Sequence, residues 1–282
     1  MKAYLSVLST ESFAPGVLVL WESLKLTKPE HDFYLLVSQG VGAHCEQTLR
    51  ALGINVLRDD SALLGEVGLS DPTHRWRHTF DKLKIFNLTT FDKIVYLDAD
   101  MYVCRNLDDL FLRPHMSAVE TRDPEDWLDG RKYFNSGLMV VEPNREQFDE
   151  LTGLIGPTLA RCEAAGIPCG DQNVLNLYAQ NWPDMEALHL DDGFNVFWGS
   201  IDNYLREQNY TLRSAKGQGQ PVYVVHFTGK VKPWQGTASY ILRTVGRPIR
   251  EGRLPSSEVI GLLWKYMSIL RTFDQHRMSC TR

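Results

Sequence analysis

The stretch FDKIVYLDADMYV, residues 91–103, decides how the chain is read. Residues 94–97 form an apolar run of strand length, and Asp98 and Asp100 follow at its C-terminal edge. In extended backbone, residues two apart point the same way, so the two carboxylates converge. Two like charges held a few ångströms apart must share a proton, face water or hold a cation, because their repulsion otherwise raises one pKa.

Strand and helix signals alternate on both sides of this stretch. Residues 3–8 read as a strand, and Pro15 sits in the first turn of a helix that runs to Leu26. Residues 32–37 give a second strand, 43–52 a helix, 54–57 a third strand, and 80–88 a helical segment feeding the quoted strand. Further on come a strand at 136–142, a helix at about 145–165 ended by Gly166 and Pro168, a helix at 171–180 and a late strand at 223–225. Such alternation predicts an α/β fold with a mostly parallel central sheet flanked by helices. The Asp pair then lies outside the carboxyl ends of strands, where open α/β sheets bind ligands.

The chain has 282 residues, 43% of them hydrophobic, ample for a sizeable core. With 30 Lys and Arg against 35 Asp and Glu the formal charge is −5, and no long basic run invites nucleic acid. The five cysteines are irregularly spaced, unlike a disulfide framework or a CxxC metal pair, which fits a reducing compartment. The opening MKAYLSVLSTE makes a poor signal peptide, and no apolar run reaches the roughly 18 residues that span a bilayer. A cytoplasmic protein is expected.

A bare DxD is most often a solvated loop. Phosphohydrolases use the same spacing with one Asp as nucleophile, but place Thr or Val two residues after the second Asp, where this chain has Tyr102. A hard divalent cation is the third reading, since carboxylate oxygens are its natural ligands. His226 favours it, following an apolar strand directly and preceding Gly229, Lys230 and Lys232. Gly229 permits close backbone approach, and the lysines suit phosphate as point charges. Two carboxylates, an imidazole and a lysine loop make a site for a metal diphosphate. One nitrogen among oxygens suits manganese, with magnesium next.

Six blocks in consistent order carry a family resemblance: DKLKIF at 81–86, YLDAD at 96–100, NLDDLF at 106–111, FNSGLMVVEP at 134–143, GDQNVLN at 170–176 and HFTGKVKPW at 226–234. Over about residues 1–235 the chain resembles glycosyltransferase family 8, in its glycogenin and galactinol synthase branch. The resemblance implies a GT-A type nucleotide-sugar fold and transfer of a hexose, glucose or galactose, from a UDP-sugar with retention at the anomeric carbon. It implies that Asp98, Asp100 and His226 hold Mn2+ on the diphosphate, with Asp98 also touching the ribose and Ala99 in the donor-binding set. Lys232 and the backbone near Gly229 resemble the phosphate-binding part of the loop. Lys82 resembles a lysine that reaches the donor diphosphate or sugar, and Asn135, Ser136, Asp171 and Gln172 resemble the residues around the donor sugar. Asp171 and Gln172 are the implied catalytic pair. Leu8, Ser9, Thr10 and Phe13 resemble the uridine site, with Phe13 where glycogenin-like proteins carry a stacking Tyr.

The chain departs from glycogenin between residues 195 and 225, where a longer segment contains GSIDNYLREQNY. Asp202 falls where the self-glucosylated Tyr is expected, leaving Tyr204 and Tyr210 as the acceptor candidates. One reading is therefore a transferase acting on a separate carbohydrate, polyol or protein acceptor, and the alternative is a self-glucosylating primer or scaffold. THRWRH at 73–78 reads as a basic surface loop or an active-site lid. Residues 1–235 form the catalytic domain in this reading, and 236–282 a basic C-terminal extension with an amphipathic helix at about 258–273. That helix suits packing on the catalytic domain, packing in a homodimer, or peripheral contact with anionic lipid.

Overall fold

The computed structural model describes residues 1–63, 77–213, 219–236, 240, 252, 254 and 256–279; most of the THRWRH stretch lies outside them. In chain order the strands and helices are β1 (Lys2–Leu8), α1 (Ala14–Leu26), β2 (Phe33–Val37), α2 (Ala43–Ala51), β3 (Asn55–Arg58), β4 (Lys93–Leu97), β5 (Met101–Val103), β6 (Ala118–Glu120) and β7 (Phe134–Val141). There follow α3 (Arg145–Gly153), α4 (Ile155–Ala164), α5 (Asp171–Tyr178), β8 (His189–Leu190), β9 (Val196–Phe197), α6 (Ile201–Arg206), β10 (Tyr210–Thr211), β11 (Gln220–Pro221), β12 (Val224–His226) and a C-terminal helix, Ser257–Ser279. The chain divides into two compact units: Met1–Glu11, Glu30–Leu97 and Asp108–Asp191 make the first, and Ser12–Pro29, Asp98–Leu107 and Asp192–Arg282 the second.

The first unit is built on a seven-stranded sheet in the order β3-β2-β1-β4-β7-β6-β8. Pairing is parallel from β3 through β4 and again between β6 and β8, and antiparallel on both sides of β7. Buried on both faces, β1, β4 and β7 read as near-continuous apolar runs, as strands of a covered sheet do. Phe80, Leu83, Ile85 and Phe86, from the 3₁₀ segment Arg77–Asn87, pack in its core with Phe134, Met139, Val174 and Trp182. The helix expected over residues 80–88 is thus 3₁₀, and the single helix expected at 145–165 is two, α3 and α4, parted at Leu154. Pro157 explains the break, because it lacks the N–H that would bond the Gly153 carbonyl and its ring crowds that oxygen.

The second unit centres on the three-stranded sheet β5-β12-β9. β5 runs antiparallel to β12 with Met101 opposite His226 and Val103 opposite Val224. The quoted stretch therefore feeds two sheets, β4 going to one and β5 to the other, with Asp98, Ala99 and Asp100 as the turn between them.

The C-terminal helix supplies Val259, Leu262, Leu263, Tyr266, Met267 and Leu270 to the core that also holds Tyr102, Val225 and Phe227. Its apolar stripe is thus committed within the chain, leaving Trp264 exposed with the Arg271 guanidinium 6.0 Å from its ring. Six such side chains at about 1.5–3 kcal/mol each rival the roughly 5–15 kcal/mol that holds a whole domain folded. Truncation at Gly236 is expected to yield insoluble or molten protein. A soluble truncated chain with a cooperative melt and an unchanged midpoint would refute this dependence.

Candidate active site

Asp98, Asp100 and His226 come together in the second unit, one ligand atom from each lying within 4.8 Å of the others. His226 arrives on β12 opposite Met101, so the β5–β12 ladder brings its ring to the Asp turn. Nε2 is 3.1 Å from Asp100 Oδ1 and 3.7 Å from Asp98 Oδ2. The other ring nitrogen donates from Nδ1 to Asn195 Oδ1 at 2.9 Å. That partner fixes the ring and directs Nε2 at the carboxylates, the outer contact a metal-binding histidine needs. The donor set and the anchored imidazole fit a divalent cation.

Lys232 belongs to the same cluster. Its Nζ lies 2.5 Å from Asp100 Oδ2 and donates to the Phe227 carbonyl at 2.9 Å. The Phe227 N–H in turn donates to the Asp100 carbonyl at 2.9 Å, and its ring meets Tyr266 of the C-terminal helix at 4.8 Å. Burial opposes the charge on Asp100, but His226 and Lys232 outweigh it and hold the carboxyl well below the usual carboxylate range. Gly229, at φ +115°, makes the turn between His226 and Lys232 in backbone that favours glycine.

Phe13 stands at the start of α1, half-buried, with its ring edge-on to Trp234 at 5.6 Å and Lys232 Nζ 5.8 Å away. Trp234 donates to the Ser12 carbonyl at 2.9 Å. Gly16 completes this wall: a Cβ there would stand 2.5 Å from the Ala99 carbonyl and 2.6 Å from the Trp234 ring. Sequence reasoning missed Gly16 and Asn195. Neither lies in a matched block, and each matters only through a contact distant in the chain.

The first unit assembles the other predicted residues. Lys82 Nζ is 2.7 Å from Asp171 Oδ2 and donates to Ser136 Oγ at 3.0 Å and to the Ser136 carbonyl at 3.1 Å. Ser136 Oγ donates to Asp171 Oδ2 at 2.7 Å, and the Asp171 N–H donates to Thr79 Oγ1 at 3.1 Å. Asp171, 5% exposed at the start of α5, is therefore an anchored carboxylate inside a buried network. Gln172 is held at both ends of its amide: Oε1 accepts from Asn135 Nδ2 at 3.0 Å and from the Ser136 N–H at 3.3 Å, while Nε2 donates to Glu125 Oε1 at 3.3 Å. Leu8 is buried at the end of β1, Ser9 Oγ donates to the His78 carbonyl at 3.0 Å, and Thr10 follows, half-buried.

Glu125 is a further positioning residue that sequence reasoning missed, since one acid among the several between residues 120 and 130 carries no signal of its own. Its other oxygen accepts from Trp127 Nε1 at 2.7 Å, and its N–H donates to the Arg131 carbonyl at 2.8 Å, so it is held as firmly as the amide it orients. Losing its bond to Glu125, about 1–1.5 kcal/mol, should loosen the Nε2 end of the Gln172 amide, leaving it held through Oε1 alone. Glu125→Ala is expected to lower kcat/KM for the donor about tenfold, read from donor-saturation kinetics, and to lower Tm modestly, because it also removes the acceptor of Trp127 Nε1 and Asn176 Nδ2. Unchanged kinetics would remove Glu125 from the site.

Comparison with known proteins agrees with this architecture. Human glycogenin-1 is 30% identical over 288 residues, covering 99% of this chain and 77% of its own. Mouse glycogenin-1 is 29% identical over 271 residues, 93% and 74% of the two chains. Inositol phosphorylceramide glucuronosyltransferase 1 of Arabidopsis thaliana is 29% identical over 259 residues, 86% of this chain and 44% of the plant protein. Among solved structures, galactosyltransferase LgtC in complex with donor and acceptor sugar analogs superposes with a TM-score of 0.62 at 16% identity over 96% of each chain, a likeness of fold. The Glycosyl transferase family 8 profile matches residues 5–238, and the chain belongs to that family.

Proposed function

We propose that this chain, a retaining UDP-sugar-dependent hexosyltransferase by family, holds a divalent cation for the donor diphosphate through Asp98, Asp100 and His226. The observation that carries this reading is the convergence of those three ligand atoms within 4.8 Å around a histidine whose far nitrogen is already bound. When bound, the cation stabilises the charge that develops on the departing diphosphate. Lys232 and the backbone at Gly229 receive phosphate oxygens. Leu8, Ser9, Thr10, Phe13 and Ala99 serve the nucleoside, Phe13 by stacking on uracil. Lys82, Asn135, Ser136, Asp171 and Gln172 serve the donor sugar, with Glu125 fixing the amide. Manganese is the assigned ion and magnesium the next, from one imidazole nitrogen among oxygens.

The acceptor in this reading is a hydroxyl on a separate carbohydrate, polyol or protein. Tyr204 and Tyr210, the candidates for self-glycosylation, support it by their burial: they are 4% and 8% exposed and pack edge to face at 5.4 Å. We place the protein in the cytoplasm on its irregularly spaced cysteines, which suit a reducing compartment. No described helix is long and apolar enough to cross a membrane. Among the described residues of the C-terminal helix, the exposed face carrying Trp264 and Arg271 is the one we assign to contact with anionic lipid or a homodimer.

The test is UDP release from a panel of UDP-glucose, UDP-galactose and UDP-glucuronate, with and without Mn2+, alongside the intact mass of the protein. Manganese-dependent release with one hexose donor and no mass gain is the expected result. Release indifferent to divalent cations would overturn the metal assignment, and a ladder of hexose additions on the chain would favour the self-glycosylating primer instead.

A further inference from the structure

Lys232 sits where a cation is wanted. Its ammonium is 2.5 Å from one oxygen of Asp100, while His226 takes the other at 3.1 Å. Both Asp100 and Lys232 are 8% exposed, so little water screens them. A divalent ion that coordinates Asp100 here meets a resident positive charge on one of its own ligands, and like charges a few ångströms apart repel strongly in so dry a setting. A diphosphate has the opposite effect, offering the ammonium new anionic oxygens.

The backbone of Lys232 does not need to move for the exchange. Its N–H donates to Gln235 Oε1 at 3.1 Å, Pro233 follows, and Trp234 is tied to the Ser12 carbonyl at 2.9 Å. Residues 228–231, just before it, are exposed.

Building on the donor site proposed above, we propose that Lys232 is an internal counter-ion: it neutralises Asp100 in the empty protein and leaves it for the donor diphosphate as the divalent ion enters. Metal and nucleotide then bind as a cooperative pair, and the metal alone binds weakly. By reciprocity the factor by which UDP tightens Mn2+ equals the factor by which Mn2+ tightens UDP. The device holds the paired carboxylates neutralised between turnovers without trapping an idle ion.

The experiment is a titration of Mn2+ alone, and of Mn2+ with saturating UDP, following free Mn2+ by electron paramagnetic resonance. It is run on the full chain, on Lys232→Gln, and on Lys230→Gln as a control for loss of a loop charge. The wild type is expected to bind Mn2+ at least about tenfold more tightly with UDP than without, and Lys232→Gln to bind Mn2+ alone about tenfold more tightly than the wild type while losing most of the coupling. Lys230→Gln keeps the coupling. The proposal is overturned if Lys232→Gln binds Mn2+ alone no more tightly than the wild type. It is overturned equally, whatever the folding of the variant, if the wild type binds Mn2+ as tightly without UDP as with it. Absence of Mn2+ binding by the wild type even with UDP would instead strike down the cation site itself.

Discussion

Asp100→Asn is expected to abolish Mn2+ binding and to lower sugar transfer by about three orders of magnitude, the scale of losing electrostatic stabilisation aimed at a developing charge. Asp100 offers one oxygen to His226 at 3.1 Å and the other to Lys232 at 2.5 Å, so it ties the imidazole and the ammonium of the cluster together. Asparagine keeps the shape and removes the charge. Lys232 is then a buried ammonium without its counter-ion, and breaking a buried pair from one side costs about 3–5 kcal/mol. The metal-free melt should therefore fall by several degrees. Mn2+ with UDP should raise the wild-type midpoint by binding the native state alone, and leave the variant unmoved. Full transfer activity together with an undiminished ligand-induced shift in Asp100→Asn would remove the cluster from contention. The pH dependence of the wild type has a definite sign. A carboxyl held below its unfolded value contributes stability that is present above that value and lost only as pH falls through the lower, folded one. The contribution of Asp100 therefore survives at neutral pH and fails only in strong acid.

Much of this arrangement is legible in the order of the residues. The apolar run of β4 followed by two acids two residues apart announces a strand ending in a converging pair, because the period of an extended chain is two. What the run cannot announce is that Met101–Val103 leaves β4's sheet for another, since that depends on a partner, β12, more than a hundred residues later in the chain. The apolar stripe of the C-terminal helix is equally plain, but its destination is not. A stripe says that a face is buried and is silent on whether the cover is the same chain, a second copy or lipid. The depth of Tyr204 and Tyr210, the acceptor candidates, is hidden for the same reason: a tyrosine in a polar segment shows its type and not its burial. Asn195, Gly16 and Glu125 are harder still, because each acts by steering another group, and nothing local in the sequence distinguishes a steering residue from its neighbours.

Asp171→Asn is the second change expected to have a large effect, and its outcome bears on how retention is achieved. Retention needs either a covalent glycosyl intermediate or attack from the leaving group's own face. A covalent route through Asp171 requires its carboxylate to be open to the anomeric carbon. Asp171 is instead 5% exposed, with Oδ2 held by Lys82 and Ser136 at 2.7 Å each. Gln172 is no freer, its carbonyl oxygen accepting from Asn135 and Ser136. Such an Asp is an anchor for Lys82 and the start of α5, and same-face attack, with the diphosphate taking the acceptor's proton, asks nothing more of it. Asp171→Asn should then lower kcat by about a hundredfold through loss of a charge-assisted network of about 2–3 kcal/mol, and destabilise the fold as Lys82 loses its counter-charge and keeps only neutral acceptors on Ser136. Intact mass should show no glycosyl adduct in either protein, and proton NMR of the product made from an α-linked UDP-sugar should give the α anomer. A β-linked product would exclude retention altogether. An adduct that forms on the wild type and vanishes in Asp171→Asn would make Asp171 the nucleophile, and would require the Lys82 contact to open before the sugar can bond.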